Sequence, residues 1–243
     1  MPRLLVLNPN TTAAMTRSIG AVARSAAQPD TEVVARNPAS GPASIEGPYD
    51  HALCMPAMLA EVARAEREGC HATVIACFDD PGVAAARCIA TGPVIGIAEA
   101  AMRAAVIIAS RFAVVTTVGP AVTVIEELAV RYGANGSCAA VRAADVAVLG
   151  LTHVSAATYR RVRDTAMRAV RNDRAEAIVL GCAGMAALAA RLSRDLDVPV
   201  VDGVAAAVKL AEALVALGLR TSKQGSYASP RRRVSANTMG GLG

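Results

Sequence analysis

Two stretches of the chain decide the fold: Thr73-Val74-Ile75-Ala76-Cys77 and Ala177-Ile178-Val179-Leu180-Gly181-Cys182. Each is a short apolar run that ends at a cysteine and is followed by an Ala-rich segment. Such a run predicts a buried strand, and a helix directly after it is typical of a parallel βα unit. Because the two cysteines are offset by 105 positions, the unit recurs in the two halves of the chain.

Two further strands repeat at nearly the same offset. The stretch Arg3–Asn8 matches Arg111–Thr116 at an offset of 108, and Pro93–Gly96 matches Pro199–Asp202 at an offset of 106. Three strands in one order with nearly constant offsets predict a duplicated half of about 105 residues. Chance similarity of βα units is the alternative, which the equivalent position of the two cysteines disfavours.

Strand-like and helix-like segments alternate along the rest of the chain, which predicts an α/β fold with parallel strands flanked by helices. The predicted strands are Arg3–Leu7, Glu32–Ala35, Ala72–Ala76, Val94–Ile95, Phe112–Thr116, Ala139–Arg142, Ala177–Leu180 and Val198–Val201. The predicted helices span 11–27, 51–69, 81–90, 97–109, 120–132, 155–172, 184–195 and 203–217. The stretch Thr221–Tyr227 is predicted to be an ordered arm.

Composition excludes several classes of protein. Of 243 residues, 53% are apolar and 19% are charged, so the chain is not intrinsically disordered. Aromatic residues make up only 2%, which excludes base stacking as a main activity. The net charge of +5 belongs to residues 219–243, which hold five basic residues and no acidic one. The remainder is neutral, so no nucleic-acid partner is predicted.

Apolar spans and cysteine usage bear on the compartment. No apolar span reaches the roughly 20 residues of a membrane helix, and the N-terminus does not resemble a signal peptide. Six cysteines without a CxxC pair indicate reduced thiols in a cytoplasmic protein. The three histidines have no metal-ligand spacing, so no metal site is predicted.

Cys77 and Cys182 are the candidate catalytic residues. Each is predicted at the carboxyl end of a parallel strand, where ligands bind, and just before a helix, whose N-terminus lowers the pKa of a thiol. Two opposed thiols suit a proton transfer between the two faces of a carbon atom. The other four cysteines are interpreted as small core residues. A phosphatase needs an arginine six positions after its cysteine, where Val83 and Leu188 stand.

Several motifs together resemble the Asp/Glu/hydantoin racemase superfamily, and within it the hydantoin and allantoin racemase branch. The resemblance runs from about Arg3 to Tyr227. The strings that carry it are Asn8-Pro9-Asn10-Thr11-Thr12, Ala76-Cys77-Phe78-Asp79-Asp80-Pro81-Gly82, Val115-Thr116-Thr117, Leu180-Gly181-Cys182-Ala183-Gly184-Met185 and Pro199-Val200-Val201-Asp202-Gly203.

This resemblance implies cofactor-independent racemisation next to a carbonyl, with Cys77 and Cys182 as the two bases. It also implies a homo-oligomer whose subunit has two similar lobes, related by a pseudo-twofold axis, with the active site in the cleft between them. We expect residues 1–96 and 205–228 to form lobe 1 and residues 97–204 to form lobe 2. Residues 229–243 are predicted to be a disordered basic tail.

The residues after each cysteine indicate the branch. Amino-acid racemases of the superfamily usually have Asn-Thr after the first cysteine and Thr-His after the second, whereas this chain has Phe78-Asp79 and Ala183-Gly184. The less polar pairs suit a small neutral cyclic amide. Its C5–H is also more acidic than the α-hydrogen of an amino acid.

Further candidate substrate-binding residues come from equivalent strand ends and from one loop. Asn10 and Thr117 are predicted to contact a carbonyl or ring N–H, with Thr116 beside them. Ser44 and Ile45 lie in a Gly/Pro-rich loop that is predicted to close over the ring; an ordinary loop is the alternative. Helix capping is an alternative for Asn10. For Asp79 and Asp80, capping of the helix at 81 is favoured over orienting the turn.

Three alternatives stay open beside a hydantoin racemase. An allantoin racemase would use the same mechanism, since allantoin is a hydantoin with a ureido group on C5. The related one-base decarboxylases lack the first cysteine, so Cys77 argues against them. A non-catalytic two-lobed binding protein for small molecules would have no use for a pair of cysteines.

Overall fold

The computed structural model describes residues 1–230, which contain two four-stranded sheets in which every neighbouring pair of strands is parallel. The first sheet has the order β2-β1-β3-β4, with β1 Arg3–Leu7, β2 Glu32–Arg36, β3 Ala72–Ile75 and β4 Val94–Gly96. The second has the order β6-β5-β7-β8, with β5 Phe112–Thr116, β6 Cys138–Ala143, β7 Ala177–Leu180 and β8 Val200–Asp202.

Helices connect the strands. They are α1 Ala13–Ala26, α2 Pro48–Arg67, α3 Val83–Ile89, α4 Ile97–Ile108, α5 Pro120–Arg131, α6 Ala156–Asn172, α7 Ala189–Leu196 and α8 Gly203–Ala216. Short 3-10 helices span Val148–Thr152, Ala183–Leu188 and Gly225–Tyr227. None of the helices within residues 1–230 has the length and apolar character needed to cross a membrane.

The two sheets repeat the same strand order, and each strand of the first has its counterpart in the second. The predicted α/β fold with two similar parallel sheets is therefore confirmed. The lobe boundaries at residues 96, 97, 204 and 205 stay predictions. The predicted disordered tail lies outside the described residues from position 231 onward.

One apolar core joins the two sheets. Because strand side chains alternate between faces, Leu4 and Val6 point into this shared core, whereas Leu5 and Leu7 pack on the outer side against α2. Helices α4 and α8 pack on each other and contact strands of both sheets. This packing fixes the position of the strand ends of one sheet relative to those of the other.

The structure departs from the predicted elements at two 3-10 helices. The predicted helix 184–195 begins as the 3-10 helix 183–188, and regular α-helix starts only at Ala189. The 3-10 helix 148–152 was not predicted from the sequence. In contrast, the predicted arm is ordered: Thr221 donates its N–H to Thr91 O at 3.0 Å, and Lys223 Nζ donates to Arg87 O at 2.6 Å.

Candidate active site

A small cavity lies where the two central strands of each sheet end. Cys77 follows β3 by two residues and Cys182 follows β7 by two residues, and both line this cavity. Asn10, after β1, and Thr116 and Thr117, at the end of β5, line it as well. The cavity has an empty volume of about 410 Å³ with its mouth included. Carboxyl ends of parallel strands are the usual place for ligands in such folds.

The cavity collects most of the predicted site residues. Eight of them line it: Asn10, Ile45, Cys77, Phe78, Thr116, Thr117, Cys182 and Ala183. Ser44 and Gly184 do not. The lining also includes residues that the sequence interpretation did not propose as binding residues, namely Met15, Ala76, Asp79, Ala121, Val148 and Gly181. Met15 sits inside a helical pattern and Val148 in an unpredicted 3-10 helix, so neither carries a local sequence signal.

A larger groove lies elsewhere on the protein. It has an empty volume of about 1000 Å³ and is lined by parts of α3, β4, α4, α8 and the C-terminal arm. Neither Cys77 nor Cys182 lines it. We therefore place the chemistry in the smaller cavity, where two acid/base groups converge.

Both cysteines of the cavity are held in the thiol form by their surroundings. Burial raises the pKa of Cys77 well above its usual value, and the nearby Asp79 raises it further. Burial likewise raises the pKa of Cys182 to about 11. Hydrogen bonds from the backbone of Gly184 and Met185 lower this pKa, but their effect is smaller than that of burial. The prediction that each cysteine favours the thiolate was wrong.

The physical reason for this correction is local geometry. After Cys77 the chain makes a loop with Asp80 at φ 45° and Gly82 at φ 61°, so α3 starts only at Val83. After Cys182 comes a 3-10 helix instead of a regular helix. The expected helix N-terminus therefore does not follow Cys77 directly. At Cys182, N–H groups of the 3-10 helix lower the pKa, but the cost of burying a charge dominates.

Asn10 lines the cavity, and hydrogen bonds fix the orientation of its side-chain amide. Its Oδ1 accepts from Asn8 Nδ2 at 2.8 Å and from the Thr12 N–H at 2.9 Å. These two donors fix the amide orientation, and Nδ2 contacts Met15 Sδ, a weak acceptor, at 3.3 Å. Asn10 thus organises the turn before α1 and still offers a donor to a ligand. The capping alternative was wrong, because the N-cap of α1 is Thr12 and, within residues 1–230, no side chain makes a capping hydrogen bond to that helix end.

The two threonines at the end of β5 differ in their bonding. Thr116 is fully buried and donates its hydroxyl to Gly181 O at 3.1 Å, which ties β5 to the segment before Cys182. Gly181 is constrained at this contact, because a Cβ there would lie 2.8 Å from Val114 Cγ1. Thr117 is also buried and lines the cavity next to Thr116.

The loop before α2 places one apolar side chain on the cavity. Ile45 is buried and lines it, whereas Ser44 donates its hydroxyl to Glu46 Oε1 at 3.0 Å. The loop is tied to the turn after β1, because Thr11 donates its N–H to Pro42 O at 3.0 Å. Ile45 is thus held over the cavity, whereas the Ser44 side chain bonds within its own loop and does not line the cavity.

Asp79 and Asp80 have different roles, and neither caps the helix after Pro81. Asp80 accepts the N–H groups of Ala98 at 3.1 Å and Glu99 at 3.0 Å, which caps α4 instead. Asp79 lines the cavity beside Cys77. The favoured capping interpretation for the helix at 81 was therefore wrong, because the loop turns Asp80 away toward α4.

The part of the cavity wall that residues 1–230 form carries no positively charged side chain. Within residues 1–230, no arginine, lysine or histidine lines the cavity. Among the same residues, Asp79 contributes the one carboxyl group of the lining. Over the same residues, no group of three His, Cys, Asp or Glu side chains is arranged to hold a metal ion. The electrostatics of the site thus suit a neutral ligand that presents hydrogen-bond donors.

Comparison with known proteins gives the family. The model of the Asp/Glu/Hydantoin racemase family matches residues 4–211. A hydantoin racemase from Rhizobium meliloti is 48% identical over 231 residues, which cover 95% of this chain and 96% of that protein. The chain belongs to the Asp/Glu/hydantoin racemase family.

Solved structures agree with this family membership. Allantoin racemase from Klebsiella pneumoniae has a TM-score of 0.94 at 48% identity, covering 96% of this chain and 95% of that one. An arylmalonate decarboxylase variant has a TM-score of 0.62 at 22% identity, covering 89% and 94%, which shows a shared fold only. The predictions of the family and of an isomerase of the racemase type are confirmed.

Proposed function

We propose that the chain inverts C5 of 5-substituted hydantoins by a cofactor-independent, two-cysteine 1,1-proton transfer. The observation that carries this proposal is that Cys77 and Cys182 line one cavity, each two residues beyond the end of an equivalent strand. Equivalent ends of two similar sheets supply one group for each face of a bound ring.

The proposed reaction needs one thiolate and one thiol. The thiolate of one cysteine takes the proton from C5, and the electron pair of the C–H bond moves into the C4 carbonyl to form an enolate. The thiol of the other cysteine then gives its proton to the opposite face of C5. The product is the mirror-image hydantoin, and the two cysteines have exchanged protonation states.

The raised pKa values of the cysteines fit this reaction. A buried thiolate with a raised pKa is a stronger base than an exposed one, although less of it is present at neutral pH. The second cysteine stays a thiol at the same pH and can act as the acid.

Donors around the cavity would stabilise the enolate. Within residues 1–230, Asn10 Nδ2 donates only to a sulfur atom, that of Met15, and Thr117 lies at the end of the strand equivalent to β1. Backbone N–H groups that follow each cysteine provide further positive dipoles. Preorganised donors of this kind typically contribute about 10²–10³-fold each to the rate.

The charge of the cavity favours a neutral ring over an amino acid. An amino acid brings a carboxylate into a cavity that already contains Asp79 and has no lining cation among residues 1–230. A hydantoin carries no charge and presents two ring N–H groups and two carbonyls. Branch membership is supported as well by the identity to hydantoin and allantoin racemases.

Allantoin is the second candidate substrate. The chain is 48% identical both to the hydantoin racemase from Rhizobium meliloti and to the allantoin racemase from Klebsiella pneumoniae, so identity favours neither. The two substrates share the ring and differ in the C5 substituent. Two apolar side chains, Ile45 and Val148, line the cavity and would favour an apolar substituent over a ureido group.

A panel of single enantiomers tests the proposed function. We expect loss of optical rotation with isopropylhydantoin and benzylhydantoin, a lower or equal rate with L-allantoin, and no reaction with glutamate. Turnover of glutamate alone would contradict the proposal. Faster turnover of allantoin than of either hydantoin would make allantoin racemase the function.

Two further aspects belong to this proposal. We propose a cytoplasmic location, because the mechanism requires reduced thiols and all six cysteines are free. We also propose a homo-oligomer, supported by the exposed run Val106, Ile107 and Ile108 at the end of α4, where Ile107 is 82% exposed. Sedimentation of the purified protein tests the latter; a monomer would contradict it.

A further inference from the structure

We propose that Asp79 binds the substrate by accepting one ring N–H, and that this contact selects N–H-bearing cyclic ureides. The inference rests on the proposed function and deepens it, because it names the part of the ring that is recognised. It also assigns a specificity-determining role to a residue for which the sequence indicated helix capping.

The bonding of Asp79 sets it apart from its neighbour. Asp79 is only 7% exposed and lines the cavity, and its carboxylate, whose oxygens keep some exposure to the cavity, accepts no hydrogen bond from any residue in 1–230. Asp80 is buried to a similar extent and has three donors: the N–H groups of Ala98 and Glu99 and the hydroxyl of Tyr132. Buried polar groups in proteins are nearly always hydrogen-bonded. An acceptor without a protein partner, facing a ligand cavity, is therefore placed to receive a donor from the ligand.

The state of the carboxyl group agrees with this role. Burial alone raises the pKa of Asp79 to about 6, and no hydrogen bond lowers it. The group is therefore mostly a carboxylate at pH 8, and a carboxylate can only accept. A hydantoin ring offers N1–H and N3–H on either side of its urea carbonyl, so a charge-assisted hydrogen bond to one of them would also orient C5 between the cysteines.

A second explanation for Asp79 must be separated from this one. Its negative charge raises the pKa of both Cys77 and Cys182, so removal of the charge would change the rate even without any contact to the substrate. An effect through the thiols changes the rate of every substrate by a similar factor. An effect through one N–H disappears when that N–H is replaced by a methyl group.

The experiment therefore crosses variants with N-methylated substrates. We would measure kcat/KM at pH 8 for four proteins: the wild type, Asp79→Ala, Asp79→Asn and Asp30→Asn, which is a control at an exposed position. Each protein would be tested with isopropylhydantoin and with its N1-methyl and N3-methyl derivatives. In the wild type and the control, methylation of the contacted nitrogen is expected to lower kcat/KM by about 10- to 100-fold. In Asp79→Ala, the unmethylated substrate loses a similar factor, and methylation of that nitrogen causes almost no further loss.

Thermal unfolding distinguishes a binding role from a structural one. A buried carboxylate without a partner costs stability, so both Asp79 variants are expected to unfold at a temperature equal to or above that of the wild type. A residue that the fold needs would show the opposite change. A lower Tm in both variants would contradict the proposal.

The outcomes distinguish failure of the proposed function from failure of the role proposed for Asp79. If the wild type does not racemise isopropylhydantoin, the proposed function fails and this inference fails with it. If the wild type is active but Asp79→Ala slows all three substrates by the same factor, or slows none, only the role of Asp79 is overturned. Loss of the discrimination between parent and methylated substrate in Asp79→Ala supports it.

Discussion

The hydroxyl of Tyr132 donates a 2.8 Å hydrogen bond to Oδ2 of Asp80. Tyr132 directly follows α5, the helix after the first strand of the second sheet, whereas Asp80 lies three residues beyond Cys77 in the loop after β3. The same carboxylate caps α4, the helix that leads into the second half of the chain. The loop that carries the first thiol is thus fixed by residues of the second half.

Removal of the Tyr132 hydroxyl is expected to loosen this connection. Tyr132→Phe leaves a buried carboxylate with one donor fewer, which typically costs about 1.5–3 kcal/mol of unfolding free energy when a charged group is involved. Urea unfolding measures this loss. Tyr49→Phe is the matched control, because Tyr49 is 75% exposed. Equal stability of the two variants would contradict a structural role for the bond.

Two substitutions at Asn10 separate its local hydrogen bonds from its donor role. Asn10→Asp keeps an oxygen for the Thr12 N–H and for Asn8 Nδ2 but replaces the donor toward the cavity by an acceptor. We expect it to lower kcat/KM by about 100-fold with little change in Tm, in line with loss of one preorganised donor. Asn10→Ala removes both functions, so both quantities should fall. Full activity of Asn10→Asp would rule out Asn10 as a donor.

A methyl group at Gly181 is expected to displace Cys182. A Cβ there would lie 2.8 Å from Val114 Cγ1 and 3.0 Å from Thr116 Cβ, within the central core. Overpacking of this kind typically costs about 1–3 kcal/mol, and the neighbouring thiol would shift with the backbone. Gly181→Ala should lose both stability and most of its racemisation rate. Gly136→Ala, which meets no atom within 4 Å, should change neither.

The pH dependence of the rate follows from the raised pKa values of the cysteines. The reaction needs one thiolate, and both thiols ionise above their usual value, with Cys182 at about 11. Below that pKa, the thiolate fraction grows about tenfold with each pH unit. We expect kcat/KM to rise throughout pH 6.5 to 8.5, the range of pH below ionisation of the hydantoin itself. A plateau that starts below pH 8 would show a thiol of lowered pKa and would contradict this expectation.

The sequence was sufficient for the central strands of the two sheets because these strands are buried on both faces. Continuous apolar runs such as Phe112–Thr116 and Ala177–Leu180 match the observed strands to the residue. Repetition of these runs with a shared cysteine position also predicted the equal strand order of the two sheets. These features depend on local composition and on spacing, which a single sequence displays directly.

Other features depend on contacts between distant segments, which the sequence does not display. The direction in which Asp80 turns is set by Ala98 and Tyr132, so a capping pattern beside Pro81 was misleading. The pKa of the thiols is set by burial in the assembled cavity, and the expected effect of a helix terminus was outweighed. Val148 lines the cavity because the 3-10 helix that contains it packs next to the cavity.

The central claim is that Cys77 and Cys182 act as two bases on opposite faces of one carbon. Its most direct test is to follow one enantiomer of isopropylhydantoin in D2O by polarimetry and by NMR of the C5 proton. We expect the wild type to form the opposite enantiomer with deuterium at C5, and Cys77→Ser and Cys182→Ser each to lower this rate by at least about 10³-fold. Full racemisation by either variant, or inversion without deuterium at C5, would contradict the two-cysteine mechanism.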